Sequence, residues 1–399
     1  MDMFRAMQHP PFRLLWSSVL LVQMGYWFTT IAFQWEVAHR TGNDSTALGV
    51  LYFAAFAPYL LFSLPAGALA DSRDRRTLLL TALSCSIALA AVCVVLSFLD
   101  AMSMWTVLPL TFLAGCVVTV VSPANQALPA NAVPAADLGS AVPLQSMGLN
   151  LARIAGPALA GPVLLLSGST AAFGVYALTC VGATLLASRL RVRRVPLPDL
   201  RESTLRRVMA GITHARARPP AMIALAVVAV TSVFGSAFQS QLPVLGARVA
   251  ADGDAAFLAL VVTGGVGSLL GVITVARRRR PITLASSARQ LAVLGITVGT
   301  LGTVHWFPLM MLLLGLAGGL TFSIMTSINT MLQHVVEDGQ RGRVLSLYFL
   351  CWGGLLPFGG LGIGSLIDAV GAGFAFAAAG AVAAVAGVAI AWRDGRRDL

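Results

Sequence analysis

Three groups of residues have the types and spacing to do chemistry, and each stands out because its surroundings carry almost no charge. The first is Gly67-Ala68-Leu69-Ala70-Asp71-Ser72-Arg73-Asp74-Arg75-Arg76. Gly67 lets two helices approach closely, Asp71 puts a carboxylate near a helix end, and Arg75 and Arg76 open the next helix. A carboxylate so placed accepts from a guanidinium or from the free amides at another helix's N-terminus, which is the chemistry of a latch. The arginines alone would fix topology. The second group is ionisable residues in apolar runs. Glu36 is the best-placed membrane acid for proton exchange, with Arg40 four residues on as an alternative surface partner. Arg153 lies deep in an apolar run, where a charge costs about 3 kcal/mol on insertion scales. It must face protein or a water-filled cavity, as an anchor for an anionic substrate group, as a carboxylate's partner in proton coupling alongside Glu36, or in structural bonds to backbone carbonyls.

The third group is polar and aromatic. Gln23, Tyr26, Trp27, Thr30 and Gln34 recur at helical spacing on one face of the first apolar run, and Gln239 and Gln241 occupy the corresponding part of the seventh. Asn125 and Gln126 in the fourth run, and Thr326, Asn329 and Gln333 in the tenth, add donors at repeat-related places. Amides and rings suit a large, moderately apolar organic molecule, and the same groups serve equally as interhelical bonds. No P-loop, catalytic triad or metal-ligand spacing occurs, so no cofactor or metal is expected and ATP is not the expected energy source. The five cysteines are scattered through apolar segments and read as free thiols.

The elements that position these groups follow from composition. With 57% hydrophobic and 11% charged residues, the 399-residue chain is too apolar for a soluble globule and reads as an all-α polytopic membrane protein. Its net charge of +11 comes entirely from arginines clustered between apolar runs. They answer to the membrane and not to nucleic acid. Runs of about 20 residues, broken at charge, Pro and Gly clusters, predict twelve transmembrane helices. The first six lie near residues 13–38, 46–70, 76–98, 104–130, 139–166 and 171–189. The second six lie near 221–247, 255–276, 283–305, 308–333, 343–367 and 371–392. With both termini cytoplasmic, all arginines but Arg40, Arg153, Arg248 and Arg289 fall in cytoplasmic segments or at their edges. The basic stretch at 190–220 is then a cytoplasmic linker between a six-helix bundle at 1–189 and another at 221–399. Within it, residues 200–212 have the pattern of a short amphipathic helix on the anionic leaflet.

The halves repeat. A shift of about 203 positions lays Gly139 on Gly342, Leu144 on Leu347, Gly156 on Gly359 and Gly161 on Gly364. Two parallel six-helix repeats place a binding site at the midplane between them and allow alternating access by rocking.

These features resemble the major facilitator superfamily over essentially the whole chain. Gly67 to Arg76 looks like its signature loop between helices two and three. The closer resemblance is to the exporter branch holding macrolide-efflux and enterobactin-export proteins. It is carried by Thr41-Gly42, by Asn150-Leu151-Ala152-Arg153-Ile154-Ala155-Gly156-Pro157-Ala158-Leu159-Ala160-Gly161 and by Gln340-Arg341-Gly342-Arg343-Val344-Leu345-Ser346-Leu347-Tyr348. The resemblance implies a twelve-helix secondary transporter of the bacterial inner membrane that exports a drug, siderophore or other small metabolite, as a monomer driven by proton antiport. It further implies that Gly148, Gly156, Pro157 and Gly161 form the antiporter motif that seals the cavity on its outer side; the plain reading of these residues is a bent, closely packed helix. Asp71 would dock at the N-terminus of the eleventh helix, at Gly342 and Arg343, when the cytoplasmic face closes. An importer on the same fold, or a membrane sensor without transport, are the rival functions. The latch reading predicts that Asp71→Asn remains in the membrane at wild-type level yet loses export. Normal transport by that variant would remove the latch.

Overall fold

A computed structural model describes residues 4–191, 218–278, 282–335 and 347–395, with positions 213, 216 and 344 between them. The described residues are almost entirely helical and contain no strand. The first helix, α1 (Pro10–Thr41), starts on two prolines, whose missing N–H costs nothing in a first turn. Gly42 and Asn43, both at positive φ, reverse the chain into α2 (Ser45–Ser72), whose third amide, on Ala47, is capped by Asp44 Oδ1 at 2.6 Å. Asp74 likewise caps α3 (Arg75–Phe98) through the Thr77 amide at 2.8 Å. Ser103 and Thr106 form a reciprocal capping box on α4 (Met104–Ala127).

The next element, α5 (Leu138–Ser188), holds both the fifth and the sixth expected spans. Its 51 residues amount to about 76 Å of helix, more than twice the hydrocarbon thickness. The reversal occurs at Gly168 alone (φ 72°, ψ −175°). No charge or proline marks that turn, because a single left-handed residue suffices.

In the second part of the chain the seventh span is composite. It comprises α6 (Pro219–Val230), a π-helical turn (Thr231–Gly235), a 3-10 turn (Ala237–Gln241) and α7 (Leu242–Val249). Then come α8 (Gly253–Ala276), α9 (Leu284–Leu301) and α10 (Phe307–Val335). A second π turn (Leu350–Gly354) leads into α11 (Leu356–Val370), and α12 (Ala372–Gly395) ends the described chain. Eleven helical runs among the described residues are long and apolar enough to cross a membrane. Counting α5 as two crossings gives the expected twelve.

The contacts divide the chain into two compact units, Met1–Glu36 with Leu61–Arg201 and Val37–Leu60 with Glu202–Leu399. By contacts, therefore, the units are not simply the segments before and after the basic linker: residues 37–60 group with the later helices. The reason lies in α2, whose first half packs on α11. The Phe53 ring meets Phe358 edge-on at 5.7 Å, and Tyr52 and Tyr59 lie over Gly360 and Gly353. The first unit has its own core at one end, where Phe12, Leu15 and Val19 of α1 meet Leu79, Leu83, Leu144 and Ala187. In the second unit α8 packs along α10 and α9 along α12, through small residues that let backbones touch. The linker residues 192–212, the arginines at 279 and 280, and Gly342 and Arg343 lie outside the described residues.

Gly168 and Gly371 both take positive φ (72° and 85°) where a helix ends, and they are 203 positions apart (371 − 168), the repeat shift seen in the sequence. Nothing lies within 4 Å of where a Cβ would stand at either. Replacing either by Val therefore costs backbone strain alone, about 1–2 kcal/mol. A thermal shift of the detergent-solubilised protein should show a fall of about 2–4 °C for each. An unchanged transition would mean that the left-handed turns are not needed.

Candidate functional site

In the first unit the aromatic face of α1 is seated on glycines of α5. Trp16 lies where a Cβ on Gly148 would stand and donates its indole N–H to the Leu144 carbonyl at 2.8 Å. Eleven residues on, Trp27 fills the notch left by Gly156, next to the buried Pro157. The aromatic residues and the helix-five motif, two separate readings of the sequence, thus meet in one contact. Gln23, Tyr26, Trp27 and Thr30 are half-buried and Gln34 is buried. Thr30 spends its hydroxyl on the Tyr26 carbonyl at 2.8 Å. Gly161 is buried further along α5.

Glu36, at the outer end of α1 in the topology expected from the arginines, is only 8% exposed. Its carboxylate accepts a hydrogen bond from the Ser169 hydroxyl. Ser169 is also within 3.0 Å of the Ser97 hydroxyl, and Ser97 is 2.7 Å from that of Thr170. The Gly168 turn builds this site, because it brings Ser169 and Thr170 back against the ends of α1 and α3. Glu36 thus lies at the end of a run of hydroxyls, with Ser169 donating to it and Ser97 and Thr170 behind. Arg153 is half-buried in α5 and has polar interactions of its own.

The charged turn is arranged as follows. Gly67 and Asp71 lie in the last part of α2, and Asp74 is the cap of α3. Arg75 donates to Asn131 Oδ1 at 3.0 Å, and Arg76 donates to the carbonyl of Ser188, the last residue of α5, at 2.6 Å. Both arginines are thus engaged within their own unit. Three residues that sequence reasoning did not single out sit nearby. Asp137, 8% exposed at the start of α5, holds Arg5 Nε at 3.0 Å and His9 Nε2 at 2.8 Å.

The amides of the expected cavity are mostly bonded within the protein. Gln126 donates to Ser122 at 3.5 Å, and Asn329 accepts from Gln333 at 2.6 Å. Gln239 accepts from the Tyr52 hydroxyl at 3.5 Å. Gln241 donates to the Ser45 carbonyl and to Ser240, each at 3.1 Å. Thr326 is half-buried, and Asn125 Oδ1 is a buried acceptor with no partner among the described residues. Among the described residues no three His, Cys, Asp or Glu side chains come together as a metal site.

Residues 2–394 match the family model described as transmembrane secretion effector. The chain belongs to this major facilitator family of membrane transporters. It is therefore a transporter and not an enzyme. It is 26% identical to the staphyloferrin A transporter of Staphylococcus aureus over 90% of both chains. Among solved structures, it shares its fold with a bacterial homologue of the human lysosomal transporter Spinster, at a TM-score of 0.69, 14% identity and 96% coverage of each chain. A POT family transporter crystallised with 5-aminolevulinic acid is similar at a TM-score of 0.76 and 13% identity, over 97% of this chain and 96% of that one.

The Trp27 seat on this transporter is testable. Gly156→Leu drives a side chain into the indole, an overpacking of about 1–3 kcal/mol, and should shift tryptophan emission and reduce transport. Gly174→Leu, where nothing lies within 4 Å, is the control and should leave both unchanged. Equal effects from the two would make the Trp27 contact incidental.

Proposed function

We propose that the transporter exports a small organic metabolite of the siderophore or drug class across the bacterial inner membrane by alternating access, exchanging it for protons. The observation that carries the reading is the buried Glu36 carboxylate with the Ser169, Ser97 and Thr170 hydroxyls at the end of α1. Two six-helix repeats, split at 190–220 with both termini cytoplasmic, supply the moving parts. The arginine distribution supports that topology, and a monomer suffices for it. The half-buried face Gln23, Tyr26, Trp27 and Thr30 offers amides and rings to the cargo, with Arg153 as a positive group for an anionic one. The gate role of Gly67, Asp71, Arg75 and Arg76 toward the eleventh helix completes the cycle. The similarity to a staphyloferrin A transporter along 90% of both chains supports the cargo class.

Inverted membrane vesicles, acidified inside, test the reading with staphyloferrin A and ethidium as probes. Export appears there as uptake that collapses when an uncoupler is added. Glu36→Gln should abolish the gradient-driven accumulation and leave downhill exchange. Accumulation indifferent to the uncoupler, or uptake only by intact cells, would replace proton-coupled export with facilitation or import.

A further inference from the structure

Asp368 stands in the last turn of α11, where the negative end of its own helix disfavours an acid. Its carboxylate is directed at another helix. Oδ2 accepts the Thr46 amide, in the first turn of α2, at 2.7 Å. Ser45 and the Thr46 hydroxyl also face this carboxylate, and Asp44 takes the next amide, that of Ala47, so the first turn of α2 is capped by two acids, one from its own turn and one from a residue 322 positions away. Around this bond, Gln241 holds the Ser45 carbonyl at 3.1 Å, and Gly364 of α11 lies against that same carbonyl. His39 of the same hairpin lies 3.0 Å from Asp254 in the first turn of α8. All of these residues belong to the second unit.

The same device occurs once more. Asp394, near the end of α12, accepts the Ala285 amide at the start of α9 at 2.9 Å. There it joins two helices that pack along their whole length, and it is structural. Asp368 differs in that it reaches back to a helix of the first repeat, at the end opposite to Asp71.

We propose that Asp368 is an outer gate residue: its bond to the α2 N-terminus holds the α1–α2 hairpin onto α11, and release of that bond opens the outer mouth during transport. It is a positioning residue that need not touch cargo. The inference rests on the transport reading above, and its test reads the gate without needing flux. Ser240, 1% exposed in the 3-10 turn beside Gln241, is the reporter position. Intact cells carrying Ser240→Cys are treated with a membrane-impermeant maleimide, and the introduced thiol is followed by peptide mass spectrometry, which separates it from the native cysteines.

Asp368→Asn should raise the labelling rate about tenfold, as loss of one charge-assisted hydrogen bond shifts the population. Thr46→Pro removes both Thr46 donors to the carboxylate, the N–H and the hydroxyl, and leaves every charge in place, and proline is tolerated in a first helical turn. It should give the same rise, and the two changes together should give no more than one. Asp394→Asn should lower thermal stability without altering labelling. Unchanged labelling in a membrane-inserted Asp368→Asn, or in Thr46→Pro should the first not insert, overturns the gate. So does an equal rise in Asp394→Asn, which would mean general loosening. Intact labelling responses without probe flux in vesicles would instead count against the transport reading.

Discussion

The structure depends on how the ends of its helices are joined to one another. Each helix leaves four amides and four carbonyls without internal partners, and these must be met by side chains or by water. This chain meets that constraint with side chains from elsewhere in its own sequence. Arg76 bonds the final carbonyl of α5, Arg218 the Val335 carbonyl of α10 at 2.7 Å, and Arg248 the Gly302 carbonyl closing α9 at 2.8 Å. Asp368 and Asp394 serve the opposite polarity, each on a first-turn amide. Positive groups on C-termini and negative groups on N-termini also run with the helix dipoles. A chain with so few charges places many of them at helix termini, where one bond joins two elements.

Against that background the charges not used at helix ends are the informative ones. Glu36 is neither a cap nor exposed. It sits among hydroxyls at the convergence of α1, α3 and the Gly168 turn, with the Ser169 hydroxyl donating to its carboxylate. The glycines of α5 follow a similar logic of exclusion. Gly148 and Gly156 serve to let Trp16 and Trp27 close on the helix, which fixes the rotation of α1 and hence which of its residues stay half-buried. Motif and polar face are therefore one assembly, and a change to either acts through the other.

Much of the fold was legible because bilayer thickness imposes a length on apolar runs. Residues 76–98 were expected as the third helix and Arg75–Phe98 is found, with Asp74 as its cap. What local pattern hid was anything satisfied at long range. Ser169 was not singled out, because nothing near it in sequence shows that its hydroxyl meets Glu36, 133 positions away. Gln241 reads as a cargo-facing amide by spacing, yet it holds a backbone carbonyl 196 positions distant. Asp137 passed unnoticed because an acid before a helix is ordinarily a cap, whereas here it binds Arg5 and His9. The turn at Gly168, by contrast, falls inside the break expected between residues 166 and 171. Periodicity reports which face of a helix is polar; it does not distinguish a polar atom awaiting a ligand from one already bonded to a distant helix end.

The membership of α2 links these observations to function. The helix is continuous from Ser45 to Ser72, yet its residues up to Leu60 group with the second unit and those from Leu61 with the first. A continuous helix does not change shape cheaply, since each broken turn in lipid exposes backbone groups. Any change of state must then exchange side-chain partners along an intact α2. The partners on the hairpin side suit such an exchange. They are acid-capped amides, one glutamine bond, one His–Asp contact and aromatic rings over glycines. The α8–α10 and α9–α12 pairs differ from these contacts, because they set backbone against backbone through glycines with few side chains between.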